Sequence, residues 1–462
     1  MLLSVSPVIR AWWRAFISRP QAAMLVVVAV ASTQLGSGEG ADLARLQSGL
    51  PDPARTLRAL LYTGMFMISA LGLINDPKRW TLSGRGVQWM MLYALFATTS
   101  AIYSVYPLIS VWKGFEVVTL VMVAITVSKQ LRDEEGVRWL LDVASLIALY
   151  MVLTVIVGIA LYPHEALKQV DELTGTGYFG SRGLAPIINP ASQGAYAGIL
   201  AISAIVPLLN RNKLARRDRA YAGLIVVVCL GIALLLLARS RTQIFAFCAA
   251  LMCVFFFGRY RVLAAITALT GTIVVLASDT VLNFIYRGQS EEQFTSFTGR
   301  TTVWNEVMDI VNESPIIGQG FYAAQRQLYG SGSVDNTYLE ALVGLGLVGL
   351  ILLVIPVFIT GISLLKLRLK TVTGSPGQML WLHALAFFAI LVIRSIASPT
   401  FASMHPMLVF YLLTHLAVAA LVRINKTGTK EMAASNKVTP ATPGHVVSTP
   451  RLTKRHLTRY RG

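Results

Sequence analysis

The sequence predicts an all-α polytopic membrane protein of about twelve transmembrane helices, with one large external loop containing short helices. Of 462 residues 55% are apolar and only 13% are charged, whereas a soluble domain carries roughly a quarter. The mean hydropathy is +0.62. Apolar runs of about 17 to 25 residues recur along the chain, each long enough to cross a hydrocarbon core roughly 30 Å thick. Charged, Pro or Gly residues bound the runs.

In chain order the expected spans are 21–36, 58–74, 87–106, 114–128, 139–162, 190–209, 220–238, 242–257, 262–285, 337–364, 379–397 and 403–422. The first is short, and the ninth carries Asp279 near its end. An even number of spans puts both termini on one side. Of the 40 Lys and Arg residues, 28 fall on that side in this arrangement and 12 on the other, so the positive-inside rule makes both termini cytoplasmic. The cluster Arg211, Lys213, Arg216, Arg217 and Arg219 is the strongest marker. The expected organisation is a cytoplasmic arm (1–20), helices one to nine (21–285), a large external, periplasmic loop (286–336), helices ten to twelve (337–422) and a basic, disordered cytoplasmic tail (423–462).

The formal charge of +18 follows from that orientation. The cytoplasmic side holds 7 of the 22 acidic residues and the external side 15, which leaves the external face slightly acidic. The basic excess is therefore a topology signal and a tail, and implies no nucleic-acid partner. The tail cluster Arg451, Lys454, Arg455, Arg459 and Arg461 is suited to a solvated segment or to anionic lipid headgroups. Arg10, Arg14 and Arg19 ahead of the first apolar run read as an anchor flank rather than a cleaved secretory signal. Cys229, Cys248 and Cys253 lie inside apolar segments without metal-ligand or disulfide spacing, and read as packing residues.

The external loop is where chemistry is expected, because long loops inside compact proteins tend to be functional. In it Trp304, Val307, Met308 and Val311 recur at helical spacing, and Ser314-Pro315 ends the pattern. That short amphipathic helix is expected to lie in the external interface with Trp304 at headgroup level.

Charged residues at membrane depth are costly, about 2.5–3.5 kcal/mol on insertion scales, and are functional candidates. Arg239 and Arg241, in the tight turn Ala-Arg-Ser-Arg-Thr, and Arg394, near the external end of span eleven, break the trend on the side poor in basic residues. A guanidinium matches phosphate oxygens bidentately and stays charged, so these arginines suit an anionic headgroup such as a lipid-linked diphosphate. Snorkelling and anchoring is the other role open to each.

A second constellation ends the loop: Ser296 to Asn305 (SFTGRTTVWN), then Pro315-Ile-Ile-Gly318-Gln-Gly320, then Val334-Asp-Asn-Thr-Tyr-Leu339, then Gly344, Gly346 and Gly349. Gly318 and Gly320 permit positive φ or close backbone approach. Asp335 and Asn336 stand where a helix N-cap belongs, so capping and catalysis are both open for Asp335.

The ordered set Gly299-Arg300, Trp304, Pro315, Gly318, Gly320, Asp335-Asn336, Tyr338-Leu339, Gly346 and Gly349, preceded by Arg239 and Arg241, resembles the O-antigen ligase and Wzy-type polysaccharide polymerase superfamily. The stretch Gly183 to Pro190 resembles a further family segment, and the likeness is sharpest over residues 230–350. It implies a metal-independent glycosyltransferase with no cofactor, on the external face of a bacterial inner membrane. Such enzymes move a glycan from a polyprenyl diphosphate donor to lipid A core (ligases) or to another lipid-linked repeat unit (polymerases). Polymerases work beside a flippase and a chain-length regulator. The family's usual base is a histidine before the Asn. Asp335 stands there, which weakens the ligase assignment and favours the polymerase. The expected roles are Asp335 and Asn336 in catalysis, Arg239, Arg241, Arg300 and Arg394 on the diphosphate, and Gly299, Trp304, Gly318, Gly320 and Tyr338 in shaping the loop. A carboxylate within reach of a hydroxyl can act as its base.

Other histidines read more plainly. His164 is external and is an alternative base. His383 lies on the cytoplasmic side, His405 beside Pro406 suits freed backbone groups, and His415 packs. The competing class is a transporter, which calls for mid-membrane charges, broken helices and internal symmetry. No repeat is evident, and Glu116, Asp142, Asp279 and Glu340 sit at span ends. A scaffolding protein would leave the loop and its arginine turn without a role.

Overall fold

The computed structural model describes residues 20–31, 53–170, 177–179, 181, 183–184, 187–209, 218–267, 300–323, 334–368 and 375–437. It is helical apart from two small ribbons. The helices are α1 (Pro20–Ala31), α2 (Pro53–Asn75), α3 (Lys78–Leu82), α4 (Arg85–Thr99), α5 (Pro107–Val127), α6 (Glu134–Leu161), α7 (Pro163–Leu167), α8 (Pro190–Leu209), α9 (Asp218–Leu237), α10 (Arg241–Phe257), α11 (Arg300–Glu313), α12 (Thr337–Arg368), α13 (Pro376–Ile396) and α14 (Pro406–Lys437). Strands β1 (Lys168–Val170) and β2 (Gly177–Phe179) pair antiparallel, as do β3 (Gly183–Leu184) and β4 (Ile187–Ile188).

Among the described residues seven helices, in α2, α5, α6, α8, α12, α13 and α14, are long and apolar enough to cross a membrane. The shorter apolar stretches Tyr221–Leu237 and Arg241–Phe257 fall in α9 and α10. Helices lie across eleven of the twelve expected segments, and the ninth is helical over 261–267 before it leaves the described residues. Seven of the fourteen helices named above start at a proline, whose missing N–H falls among donors that a first turn leaves unpaired anyway. Side-chain caps also start helices: Asp133 accepts from Gly136 N at 2.8 Å for α6, and Asn189 accepts from Ser192 N at 2.7 Å ahead of Pro190 in α8.

The bundle is built around α8 and α14, whose most apolar windows are each 78% buried, while α2, at 17%, lies at the periphery. The first turns of α8 carry Ser192, Gly194, Ala195, Ala197 and Gly198, all buried; small residues of this kind let membrane helices approach closely. Helix ends alternate between two faces. One is held by Lys129 on Asp76 at 2.8 Å and by Arg423, which donates to the carbonyls of Leu82 at 2.6 Å and Leu131 at 2.5 Å. The other, which we call the site face, gathers the α4–α5 turn, the start of α8, the α9–α10 turn, the start of α12 and the α13–α14 loop.

One expectation is corrected. The segment from 423 was expected to be disordered, yet α14 runs on to Lys437. Extending a formed helix needs no new nucleus, and the added residues include helix formers such as Lys430, Glu431, Met432, Ala433 and Ala434. Residues 1–19, 268–299 and 438–462 lie outside the described residues, and with them the N-terminal arginines, Asp279, Gly299 and the basic tail cluster.

Candidate active site

The site face is organised by a break in α12. At Gly346 the backbone leaves the helix (φ 62°, ψ −164°), dividing α12 into a short first half and a long second half. A break inside a membrane is tolerated only where the freed backbone groups find partners. Here the Pro315–Gly320 segment supplies them. Gln319 N and Gly320 N donate to Val343 O and Gly344 O at 3.0 and 2.9 Å, while Leu347 N and Val348 N donate to Pro315 O and Ile316 O at 2.9 and 3.2 Å. This approach needs bare backbone: Gly318 (φ 73°), Gly320 (φ 103°) and Gly346 are left-handed, and a Cβ on Gly346 would lie 2.2 Å from the Ile316 carbonyl carbon. The P-x-x-G-x-G and glycine-rich segments are thus two sides of one backbone clamp.

The clamp is fixed from its other side by the α4–α5 turn. Tyr103 Oη donates to Ile317 O at 2.7 Å, Ser110 Oγ to Phe321 O at 2.7 Å, and Phe321 N to Ser100 Oγ at 2.9 Å. Next to it, fully buried Glu116 pairs with Arg58 at 2.9 Å and Lys113 at 3.0 Å, and Lys113 lies 5.3 Å from the centre of the Tyr322 ring. The sequence reading missed this triad because Arg58 lies in another helix, 58 residues before Glu116; the acidic residue at the head of an apolar span was its visible trace.

The first half of α12 carries the D-N-x-Y-L motif. Asn336 Oδ1 accepts from Tyr338 N at 2.9 Å and Leu339 N at 3.1 Å, so Asn336 is the N-cap. Asp335, one residue earlier, is not the cap; it is half-buried and left-handed at φ 49°. Such a backbone conformation costs about 1–3 kcal/mol in a non-glycine residue and concentrates at functional sites. Thr337 ties the helix start to the α13–α14 loop, with its Oγ1 donating to Ser398 O at 2.9 Å and accepting from Thr400 N at 2.9 Å. Tyr338 Oη lies 3.0 Å from Ser395 Oγ, and its ring meets Phe401 edge-on.

That loop also holds Arg394. Its side chain is 0% exposed, with Nη1 donating to Pro399 O and to Thr400 Oγ1 at 3.0 Å, and Nη2 to Ser192 Oγ at 2.9 Å. In this structure the guanidinium braces α8 against the loop. His405 completes the brace. Its Nδ1 accepts from Met407 N at 3.1 Å, so the neutral ring carries its proton on Nε2, which faces Ser192 Oγ at 3.3 Å. Burial and the nearby Arg394 charge hold its pKa well below the usual 6.5. A ring whose Nδ1 is committed to the backbone and whose Nε2 carries the proton is not poised as a base.

The turn between α9 and α10 has three residues, Ala238 to Ser240; Arg239 lies in it and Arg241 opens α10. Arg239 is the left-handed residue ending α9 (φ 48°), with its N–H on Leu236 O at 3.0 Å. Both side chains are half-buried. The turn reaches the brace through Gln193, whose Nε2 donates to Leu234 O at 3.3 Å and to Ser181 Oγ. A continuous path of bonded neighbours therefore runs from Asp335 through Asn336, Thr337, Thr400, Arg394, Ser192 and Gln193 to the turn of Arg239. Ser192, Thr337 and Thr400 went unnoticed in the sequence, since isolated hydroxyls carry no periodic signal.

Arg300 opens α11. Part of the apolar face of α11 packs on the start of α12: Val307 and Val311 cluster with Val334 and Val343, with Trp304 against them, while Met308 of the same face is exposed. Trp304 Nε1 donates to Val334 O at 3.1 Å, which fixes the backbone just before Asp335. Of the other histidines, His164 is exposed in α7. His383 faces Ser203 Oγ at 3.3 Å, and His415 faces Thr360 Oγ1 at 2.6 Å, both inside the bundle.

The O-antigen ligase family model matches residues 225–354 of the chain. The exopolysaccharide production protein ExoQ of Rhizobium meliloti (strain 1021) is 25% identical over 318 residues, which cover 63% of this chain and 68% of ExoQ. The matched family region takes in both turn arginines, Arg300, the glycine clamp and Asp335.

Proposed function

We propose that this chain, which is similar to the O-antigen ligase family over residues 225–354, polymerises lipid-diphosphate-linked oligosaccharide repeat units into surface or exopolysaccharide on the external face of a bacterial inner membrane. The observation that carries this reading is the matched family region itself, because it includes the half-buried turn arginines and the strained carboxylate at the head of a broken helix.

In this reading Asp335 accepts the proton of the acceptor sugar hydroxyl. The hydroxyl oxygen forms a bond to the anomeric carbon of the donor, and the bond from that carbon to the diphosphate oxygen breaks, its electron pair leaving with the diphosphate. Arg239 and Arg241, with Arg300, balance the charge that develops on the leaving group; fixed cations in a water-poor site are effective in this role. The N-termini of α8 and α10 favour an anion on the same face. Arg394 positions rather than binds, holding α8 to the α13–α14 loop. The membrane supplies the lipid substrate, and a flippase and a chain-length regulator are the pathway partners this chemistry calls for.

Polymerase is preferred over O-antigen ligase for two reasons. A carboxylate replaces the histidine expected of a ligase, and the similar protein ExoQ is named for exopolysaccharide production. Deleting the gene and analysing surface glycan tests the choice. Loss of long polymer with single repeats retained is the expected result; lipid-linked polymer accumulating without transfer to lipid A core would make the protein a ligase. Unchanged glycan with altered solute uptake would favour a transporter.

A further inference from the structure

The turn Ser240-Arg241-Thr242-Gln243 has the spacing of a capping box, in which the Gln side chain folds back on the Ser backbone N–H. The box is not made. Ser240 forms no side-chain cap bond, and the Gln243 side chain packs instead beside Gly194 of α8. Gln243 is 1% exposed and Gln193 0%. Neither Nε2 nor Oε1 of Gln243, nor Oε1 of Gln193, has a hydrogen-bond partner among the described residues. Leaving buried amides unpaired is costly, and an apolar side chain of similar shape would avoid that cost.

We propose that Gln193 and Gln243 form a sugar subsite, which hydrogen-bonds the hydroxyls of the donor sugar adjoining the diphosphate. This rests on the glycosyltransfer reading and names a specificity element of the same site. The unpaired set is one donor and two carbonyl acceptors. Phosphate oxygens only accept, so a diphosphate alone can meet Gln243 Nε2 and leaves both carbonyls unmet, whereas sugar hydroxyls donate as well as accept. The position fits: Gln243 is two residues from Arg241, and Gln193 lies between Ser192, which takes Arg394, and Leu234 at the end of α9. The amides are closed off in this structure, so the ligand reaches them as the Arg239 turn parts from α8. The closed turn holds Arg239 left-handed, a conformation that parting can relieve.

The test uses the full-length protein in nanodiscs, with two probes: undecaprenyl diphosphate without sugar, and the lipid-linked repeat unit extracted from a strain deleted for this gene. Gln193→Leu and Gln243→Leu are each expected to weaken binding of the repeat unit about tenfold. Binding of undecaprenyl diphosphate should be unchanged; Tm should be equal or higher for Gln243→Leu, while Gln193→Leu also loses the bonds of its Nε2 to Leu234 O and Ser181 Oγ and should lower Tm. Should leucine not fit, Gln243→Met, unbranched like glutamine, gives the same comparison. Variants that bind both probes as wild type does, weaken both equally, or lose Tm with binding intact would overturn the subsite and mark the amides as structural, paired by buried water. Wild-type protein that binds neither probe would overturn the glycosyltransfer reading with it.

Discussion

Ser192 Oγ, in the first turn of α8, accepts a hydrogen bond from Arg394 Nη2 at 2.9 Å across 202 residues of sequence. A buried guanidinium demands such partners, and Ser192, Thr400 and Pro399 supply them. Replacing Arg394 by Ala strands these groups and removes the brace, and is expected to cost about 1–3 kcal/mol for each buried acceptor left unpaired. Arg394→Lys keeps the charge but not the planar fork and should recover little of it. Thermal unfolding in detergent checks this. A variant that loses activity at wild-type Tm would return Arg394 to the substrate.

The clamp across the α12 break makes a prediction about glycines. Gly346→Ala forces a left-handed alanine, about 1–3 kcal/mol of strain, and places a Cβ 2.2 Å from the Ile316 carbonyl carbon. It should abolish stable expression. Gly64→Ala in α2, where a Cβ meets nothing within 4 Å, should instead stabilise by about 0.5–1 kcal/mol. Size-exclusion profiles and Tm of the two variants separate them.

Asn336 and Asp335, adjacent in sequence, separate by function. Asn336→Ala removes the α12 cap and should cost about 1 kcal/mol, and Asn336→Ser should restore most of it. Tm measured with activity distinguishes this from chemistry: if Asn336→Ser recovers stability but not turnover, the asparagine amide takes part in the reaction.

His405 gives a pH signature. Its folded pKa lies well below 6.5, so below pH about 6.5 the unfolded chain binds a proton that the folded chain does not, and stability rises with pH through that window. The contribution is intact above pH about 6.5 and is lost as pH falls towards the lower folded value. His405→Gln should flatten that dependence relative to wild type in Tm measured from pH 7.5 to 5. Parallel curves would mean that His405 does not titrate in this way.

The span pattern was legible because a membrane imposes length and hydropathy on each helix separately. The glycine motifs were legible as loop structure, since positive φ and close approach are local demands. What a single pass along the chain does not carry is pairing: that Gly346 breaks a helix only because Pro315 and Ile316 offer carbonyls to the freed N–H groups, or that Arg394 is satisfied by Ser192. The choice between Asp335 and Asn336 as cap was likewise open in sequence, and was decided by which side chain reaches the N–H groups of Tyr338 and Leu339. The packing of α11 on α12 was not legible because an apolar face has two possible partners, lipid and the start of α12, and periodicity does not tell them apart.

The most direct test of the catalytic reading is Asp335→Asn, assayed as polymerisation of extracted lipid-linked repeat units by purified protein. Asparagine tolerates the left-handed backbone that Asp335 adopts and keeps its shape, but cannot take a proton as a carboxylate does. The expected result is wild-type Tm and donor binding with turnover reduced about 10²–10⁴-fold, the usual contribution of a general base. Turnover within a few-fold of wild type would contradict the role of Asp335 as the base.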